Sequence, residues 1–259
     1  MKKAMVESEM LEILQKLVGT EQVWAQEPMK KHTTFRVGGC ARYLVEPGDV
    51  QQLSAVVNAC REQKVPYYVV GNGSNLLVSD AGYNGVIIHL FKNMSEIRTE
   101  GNHMILQAGA LLARAARTAC REGLSGLEFA SGIPGTVGGA LVMNAGAYGG
   151  EMKDVVSRVT VLTSEGEPWE YTKEQMAFGY RRSRLTEEAG IVLETEFTLH
   201  PGRTEEIQAR MEELKEKRVL KQPLEYASAG STFKRPEGHF AGKLIELSLI
   251  HILEATRPY

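Results

Sequence analysis

The chain has 259 residues, of which 43% are hydrophobic and 24% charged, with 30 basic and 32 acidic side chains. That balance excludes disordered, fibrous and coiled-coil proteins and indicates one large domain or two to three small ones. A formal net charge of −2 provides no global basic field, so nucleic acid is not an expected partner and any anionic ligand must be gripped locally.

Residues 5–18 place Met10, Leu11, Leu14, Leu17 and Val18 at helical spacing, and Gly19 ends the turn. Residues 41–46 read as a strand, after which Asp49 caps a helix with Val50, Leu53, Val56, Val57 and Cys60 on one face. Strands follow at 66–71, 85–90 and 103–109, then a helix over 111–122 that buries Leu112, Ala115, Ala116 and Ala119 and stops at Gly123. Further strands are expected near 157–164 and 190–199. A last helix begins at Thr204, with Glu205 and Glu206 in its first turn, Lys215, Lys217 and Arg218 near its end, and a stripe of Ile207, Met211 and Leu214. Pro223 ends it. Alternating strands and helices indicate an α+β or mixed α/β fold with mixed sheets.

The apolar runs fall short of the ~18 residues that span a bilayer. Lys2 and Lys3 resemble the start of a signal peptide, but Glu7, Glu9 and Glu12 interrupt the apolar segment that would have to follow. Cys40, Cys60 and Cys120 have neither disulfide nor zinc spacing. A soluble, cytoplasmic protein without a membrane partner is the expectation. None of the six histidines forms an i, i+4 pair, so no metal site is expected.

Nine of the 26 glycines fall between Gly123 and Gly150, a density that implies backbone passing close to something. Gly71-Asn72-Gly73-Ser74-Asn75, at the end of a buried strand, is either a tight turn or a nest of amides for phosphate oxygens. Leu76 occupies the place of the third glycine of a dinucleotide fingerprint, and no Gly-Lys-Ser/Thr follows. In the segment 126–151, Gly132, Gly135, Gly138 and Gly139 bracket Ile133, Pro134, Thr136 and Val137. This is a surface for a flat conjugated ring, or a glycine-rich helix start packed on a sheet. Tyr180 stands beside Arg181, Arg182 and Arg184, either solvated or an oxyanion clamp. Ser231 sits in a Gly-Ser-Thr turn ahead of Lys234, without the elbow or base of a serine hydrolase.

Taken in order, the blocks at 32–39, 69–82, 126–151, 178–183 and 229–246 resemble the UDP-N-acetylenolpyruvoylglucosamine reductase family over residues 30–246. The short connection from Arg184 to Gly190 is similar to the family's shorter type. The resemblance implies a non-covalent FAD in a two-part PCMH-type (vanillyl-alcohol-oxidase-like) domain over 33–200. Before it, 1–32 would be a helix and lead-in. After it, 201–223 would be a connecting helix and 224–259 the start of a smaller α+β substrate-binding domain. It implies that Gly71, Asn72, Gly73, Ser74, Asn75 and Leu76 hold the FAD diphosphate, and that Gly132, Ile133, Pro134, Gly135, Thr136, Gly138 and Gly139 line the flavin. NADPH would be the co-substrate and an enolpyruvyl UDP-sugar the substrate, in a monomer serving cell-wall synthesis. Arg181 would stabilise the developing enolate and Ser231 would protonate it, with Tyr148, Tyr180, Lys221 and Lys234 contacting the substrate.

The family continues beyond 246 with a third catalytic residue, a glutamate, whereas residues 247–259 do not fit its pattern, and Glu254 has no surrounding motif. The expectation is therefore a shortened or frame-broken reading frame, with FAD binding retained, turnover severely reduced and apolar surface uncovered. A flavin binder without turnover is the alternative. A different flavin oxidase is disfavoured by the 178–183 and 229–246 blocks, and a phosphoryl-transfer enzyme by the lack of Lys or Mg²⁺ carboxylates near 71–75.

Overall fold

The computed structural model describes residues 2–254. Helix α1 (Lys2–Val18) buries Met10, Leu14 and Val18 at the expected spacing. Strand β1 (Val23–Pro28) then pairs antiparallel with β2 (Cys40–Val45). In α2 (Val50–Glu62) the Asp49 carboxylate accepts the Gln52 amide at 2.8 Å, and Leu53, Val56, Val57 and Cys60 are buried. Strands β3 (Tyr67–Val70) and β4 (Tyr83–His89) complete a mixed sheet in the order β1-β2-β4-β3, in which β2 and β3 run parallel to β4.

A second sheet, entirely antiparallel, begins with the hairpin of β5 (Ile97–Glu100) and β6 (His103–Gln107). Helix α3 (Leu112–Arg121) ends at Gly123 and buries the four predicted positions. Short elements follow: β7 (Leu124–Ser125), α4 (Val137–Val142), β8 (Gly146–Ala147), β9 (Gly150–Glu151) and α5 (Met152–Val155). Strands β10 (Val156–Thr163), β11 (Pro168–Thr172) and β12 (Gly190–Thr198) then give the order β11-β10-β12-β6-β5. Strand β13 (His200–Pro201) pairs with β7 and leads into α6 (Thr204–Lys221), which buries Ile207 and Leu214 while Met211 is half-buried against the core. Residues 224–240 contain no helix or strand and precede α7 (Ala241–Glu254).

Three strands, β1, β5 and β11, escape sequence periodicity for one reason. Each lies at a sheet edge, and β5 and β11 have no buried side chain, so the apolar alternation that marks a half-buried strand is missing. Within 1–32, β1 makes the chain part of the small sheet as well as a helix.

The two sheets share one core. Tyr43, Val45, Val86 and Ile88 of the small sheet join Met104, Leu106, Val159 and Phe197 of the large sheet, with α1–α4. The opposite face of the small sheet, Ala41, Leu44, Val70 and Ile87, is covered by Met29, Leu76 and Val78. Parallel neighbours need a crossover of about a dozen residues, usually a helix. Between β3 and β4 that crossover is the loop 71–82, and the apolar contacts of Leu76 and Val78 fix it over the sheet. Exposed large apolar side chains concentrate after residue 218, among them Leu220, Leu224, Tyr226, Phe233, Phe240 and Leu244. The uncovered apolar surface therefore lies mainly on the last segment rather than on 33–200.

Candidate cofactor and substrate site

The two glycine-rich loops meet. The Asn72 side-chain amide donates to the Pro134 carbonyl at 2.5 Å, and Gly71 lies so close to Thr136 that an added Cβ would overlap the threonine hydroxyl. Gly73 adopts φ 60 directly over the His32 carbonyl, and its own carbonyl accepts the Thr34 amide at 3.3 Å. Below this junction, Val69, Gly71, Leu90, Ala108, Thr136, Gly138, Gly139, Val142 and the start of β12 line a cavity of about 100 Å³ between the sheets.

Both readings of the 132–139 segment hold, at different glycines. At Gly138 a Cβ would meet the Ala108 Cβ at 2.9 Å, and its amide donates to the Ala108 carbonyl, so α4 starts tight on the large sheet. At Gly139 the nearest atom is Thr136 Oγ1 at 3.6 Å, and at Gly135 it is Ser74 Oγ at 3.7 Å. These two positions leave room that a ligand can enter, and Asn75, Gly132 and Pro134 are exposed beside them. Apolar side chains beside exposed glycine backbone, next to the 71–75 loop, are the chemical kinds of group that receive a flat ring bearing a phosphate chain.

Arg181 and Tyr148 occupy turns, the first tied to the end of α4 through Asn144–Gly179 and Val142–Ser183 bonds, and both adopt left-handed φ, 56 and 52. Tyr180 and Tyr148 are exposed, and the Arg181 guanidinium lies 5.7 Å from the Tyr180 ring centroid. Ser231 is exposed on the 224–240 segment. That segment is pinned twice. Thr34 and Ser228 exchange hydrogen bonds, Oγ1 to carbonyl at 2.6 Å and amide to carbonyl at 3.2 Å, while Gly230 lies against the Ser74 carbonyl. Further on, the Arg235 amide donates to the Tyr180 hydroxyl at 3.0 Å. Lys221 ends α6, and both it and Lys234 are exposed, with no side-chain hydrogen bond or ion pair among the described residues.

Sequence reading passed over three residues here. Asn144, 2% exposed, bonds to both turns. Glu151 pairs with Lys153 at 2.9 Å; the hydrogen-bonded Lys153 ammonium holds its carboxyl below the usual range against partial burial, helped by Asn144 and the Arg181 charge. Arg218 of α6 packs against Gly132. A polar residue just before a glycine hairpin is the signal that points to Asn144.

Under the 71–73 loop, His89 is buried, bonded through Nδ1 to Glu46 at 2.7 Å, stacked on Phe91 and edge-on to His32. Burial lowers its pKa from 6.5, and Glu46 offsets this only in part. The folded chain thus binds fewer protons at His89 than the unfolded chain does. That stability is fully present above about 6.5 and is lost as pH falls below it toward the folded value. Thermal unfolding followed by circular dichroism should show the midpoint dropping between about pH 7 and 5, with a flatter profile for His89→Gln; equal profiles would contradict this assignment.

A family model described as an FAD binding domain matches residues 41–172, a span that holds both loops and all of the cavity lining except the start of β12. The protein is thus an FAD-binding protein of the PCMH type. The 4-ethylphenol oxidase of Gulosibacter chungangensis shares the fold at a TM-score of 0.57 and 15% identity, over 76% of this chain and 43% of that one.

Similarity to another set of proteins is much stronger. The UDP-N-acetylenolpyruvoylglucosamine reductase of Alkaliphilus metalliredigens is 50% identical over 230 residues, 89% of this chain and 76% of the relative, and that of Clostridioides difficile is 49% identical over the same length. The crystal structure of the Thermus caldophilus reductase superposes at a TM-score of 0.75 with 39% identity, covering 88% of this chain and 79% of that one. The chain belongs to the UDP-N-acetylenolpyruvoylglucosamine reductase family.

Proposed function

We propose that the chain is an oxidoreductase that uses NADPH and non-covalently held FAD to reduce the enolpyruvyl ether of UDP-N-acetylglucosamine to UDP-N-acetylmuramate, a step of peptidoglycan synthesis. When bound at this site, FAD would supply the hydride chemistry that links NADPH to the enol-ether carbon. Gly71, Asn72, Gly73, Ser74, Asn75 and Leu76 would hold its diphosphate, and Gly132, Ile133, Pro134, Gly135, Thr136, Gly138 and Gly139 would line the ring.

The chain's own residues then handle charge and proton. Hydride addition leaves negative charge spread into the pyruvyl carboxylate, and a fixed guanidinium at Arg181 stabilises it. The adjoining enolic carbon is basic enough to take a proton from a neutral hydroxyl, which assigns Ser231 the acid role. Tyr148, Tyr180, Lys221 and Lys234 contact the sugar nucleotide. Among the described residues no helix is long and apolar enough to cross a membrane. We place the protein in the cytoplasm as a monomer, serving cell shape and division through the wall.

One observation carries this reading: the segment bearing Ser231 runs from the cofactor loop at Thr34 and Ser74 to the turn of Tyr180 and Arg181. This link supports a reading in which the proton donor and the anion-stabilising arginine serve one site. A second reading, a flavin binder with little turnover, is favoured by the exposure of Ser231 and Lys234, since water competes for the developing charge. NADPH consumption with and without the enolpyruvyl sugar nucleotide decides between them. The proposal expects consumption that requires the sugar nucleotide and yields the reduced lactyl ether, whereas consumption indifferent to it supports the second reading.

A further inference from the structure

Asn144 follows α4 at φ 41. Its amide donates to the Leu141 carbonyl and the Ala145 amide to the Ala140 carbonyl, the paired bonds of a Schellman helix end, in which the left-handed residue is usually glycine. Asparagine tolerates that conformation but brings a side chain as well. Here the side chain is buried and every atom of its amide is used. Nδ2 donates to Glu151 Oε2 at 2.9 Å and to the Gly179 carbonyl at 3.0 Å, while Oδ1 accepts the Lys153 amide at 3.0 Å.

Those partners belong to three different elements. Gly179 opens the turn that carries Tyr180 and Arg181 and closes by reciprocal bonds with Arg182. Glu151 lies on β9, across the hairpin from which Tyr148 projects. Val142, one residue before the C-cap Met143 of α4, lines the cavity and accepts the Ser183 hydroxyl at 2.8 Å.

We infer that Asn144 is a positioning residue which fixes the Arg181 and Tyr148 turns to the cofactor helix, and so sets where the substrate's anionic end lies relative to the flavin. This rests on the function proposed above, in which both turns contact the sugar nucleotide. A helix cap alone needs no side-chain amide. The Asn144→Gly substitution therefore separates the two roles: it keeps, and eases, the left-handed backbone while removing only the three side-chain bonds. Glu151→Gln is a companion variant that retains an acceptor for Asn144 and removes the charge coupled to Arg181.

The test compares parent and Asn144→Gly in four measurements: thermal midpoint, FAD affinity by absorbance titration, affinity for the enolpyruvyl sugar nucleotide by calorimetry, and the rate of tryptic cleavage after Arg181 or Arg182 read by mass spectrometry. The inference expects FAD affinity unchanged, a midpoint lowered only by the modest amount that three lost buried bonds imply, sugar-nucleotide affinity weaker by about tenfold or more, and cleavage faster by a similar factor. Glu151→Gln should show a smaller loss of affinity with parent-like cleavage. Parent-like cleavage or parent-like affinity in Asn144→Gly overturns it. So does loss of FAD binding or a collapsed midpoint, which would mark a purely structural residue. If the parent itself does not bind the sugar nucleotide, the proposed function falls and the cleavage rates alone decide this inference.

Discussion

Gly71→Ala is expected to weaken FAD binding by up to about a hundredfold while leaving a folded chain. The added methyl would overlap Thr136 Oγ1 and approach the threonine's Cγ2 and Cβ at 3.0 and 3.1 Å. Thr136 cannot retreat, because it is 3% exposed and its neighbours Gly135 and Val137 bond to Leu112 and Ala110. The loop must move instead, carrying Asn72 off the Pro134 carbonyl. Overpacking of this kind costs about 1–3 kcal/mol, which is roughly five- to a hundredfold or more in affinity if it falls wholly on the bound state. A second substitution guards against a folding artefact. Thr136→Ala removes the overlapping hydroxyl and leaves only the 3.1 Å approach to Cβ, so the double variant should regain much of the FAD affinity. An absorbance titration in which Gly71→Ala binds FAD as the parent does would show that the two loops do not form the cofactor site.

Arg181→Ala should lower reduction of the enolpyruvyl substrate by about 10²- to 10³-fold, the usual loss when one preorganised donor to a developing oxyanion is removed. FAD binding should be unaffected, because Arg181 is not among the residues lining the cavity. Arg181→Lys keeps a charge but not the planar fork, and its rate should lie between those of parent and alanine variant. The left-handed φ of 56 makes Arg181→Gly an informative third variant: it relieves the backbone and should still be as slow as alanine if the guanidinium is what matters. Single-turnover transfer to the sugar nucleotide, measured by rapid mixing, gives these rates without interference from product release. Equal rates in parent and alanine variant would remove Arg181 from the chemistry.

Much of this was legible in the chain because burial and glycine leave local marks. The α2 and α3 faces, the Asp49 cap and the Gly123 stop all follow from spacing within a few residues. Edge strands β1, β5 and β11 were not legible, since an exposed strand has no buried side to alternate. The two glycine loops stood out in the sequence, but their contact did not: Asn72 and Pro134 are brought together by the closeness of the sheets, not by any local pattern. Neither is there a local signal that ties the Arg235 amide to the Tyr180 hydroxyl, or Asn144 to a carbonyl on the turn at Gly179. Such long-range bonds depend on topology. They decide how the site is held, whereas the sequence motifs indicate only which residue types it contains.

The most direct test of the whole account is titration of the purified, folded chain with FAD, followed by addition of NADPH without oxygen. The site between the sheets predicts saturable binding near one FAD per chain, a perturbed visible flavin spectrum, and bleaching of that colour by NADPH that is reversed by the enolpyruvyl sugar nucleotide. A folded protein whose FAD remains spectrally free at every concentration would contradict it.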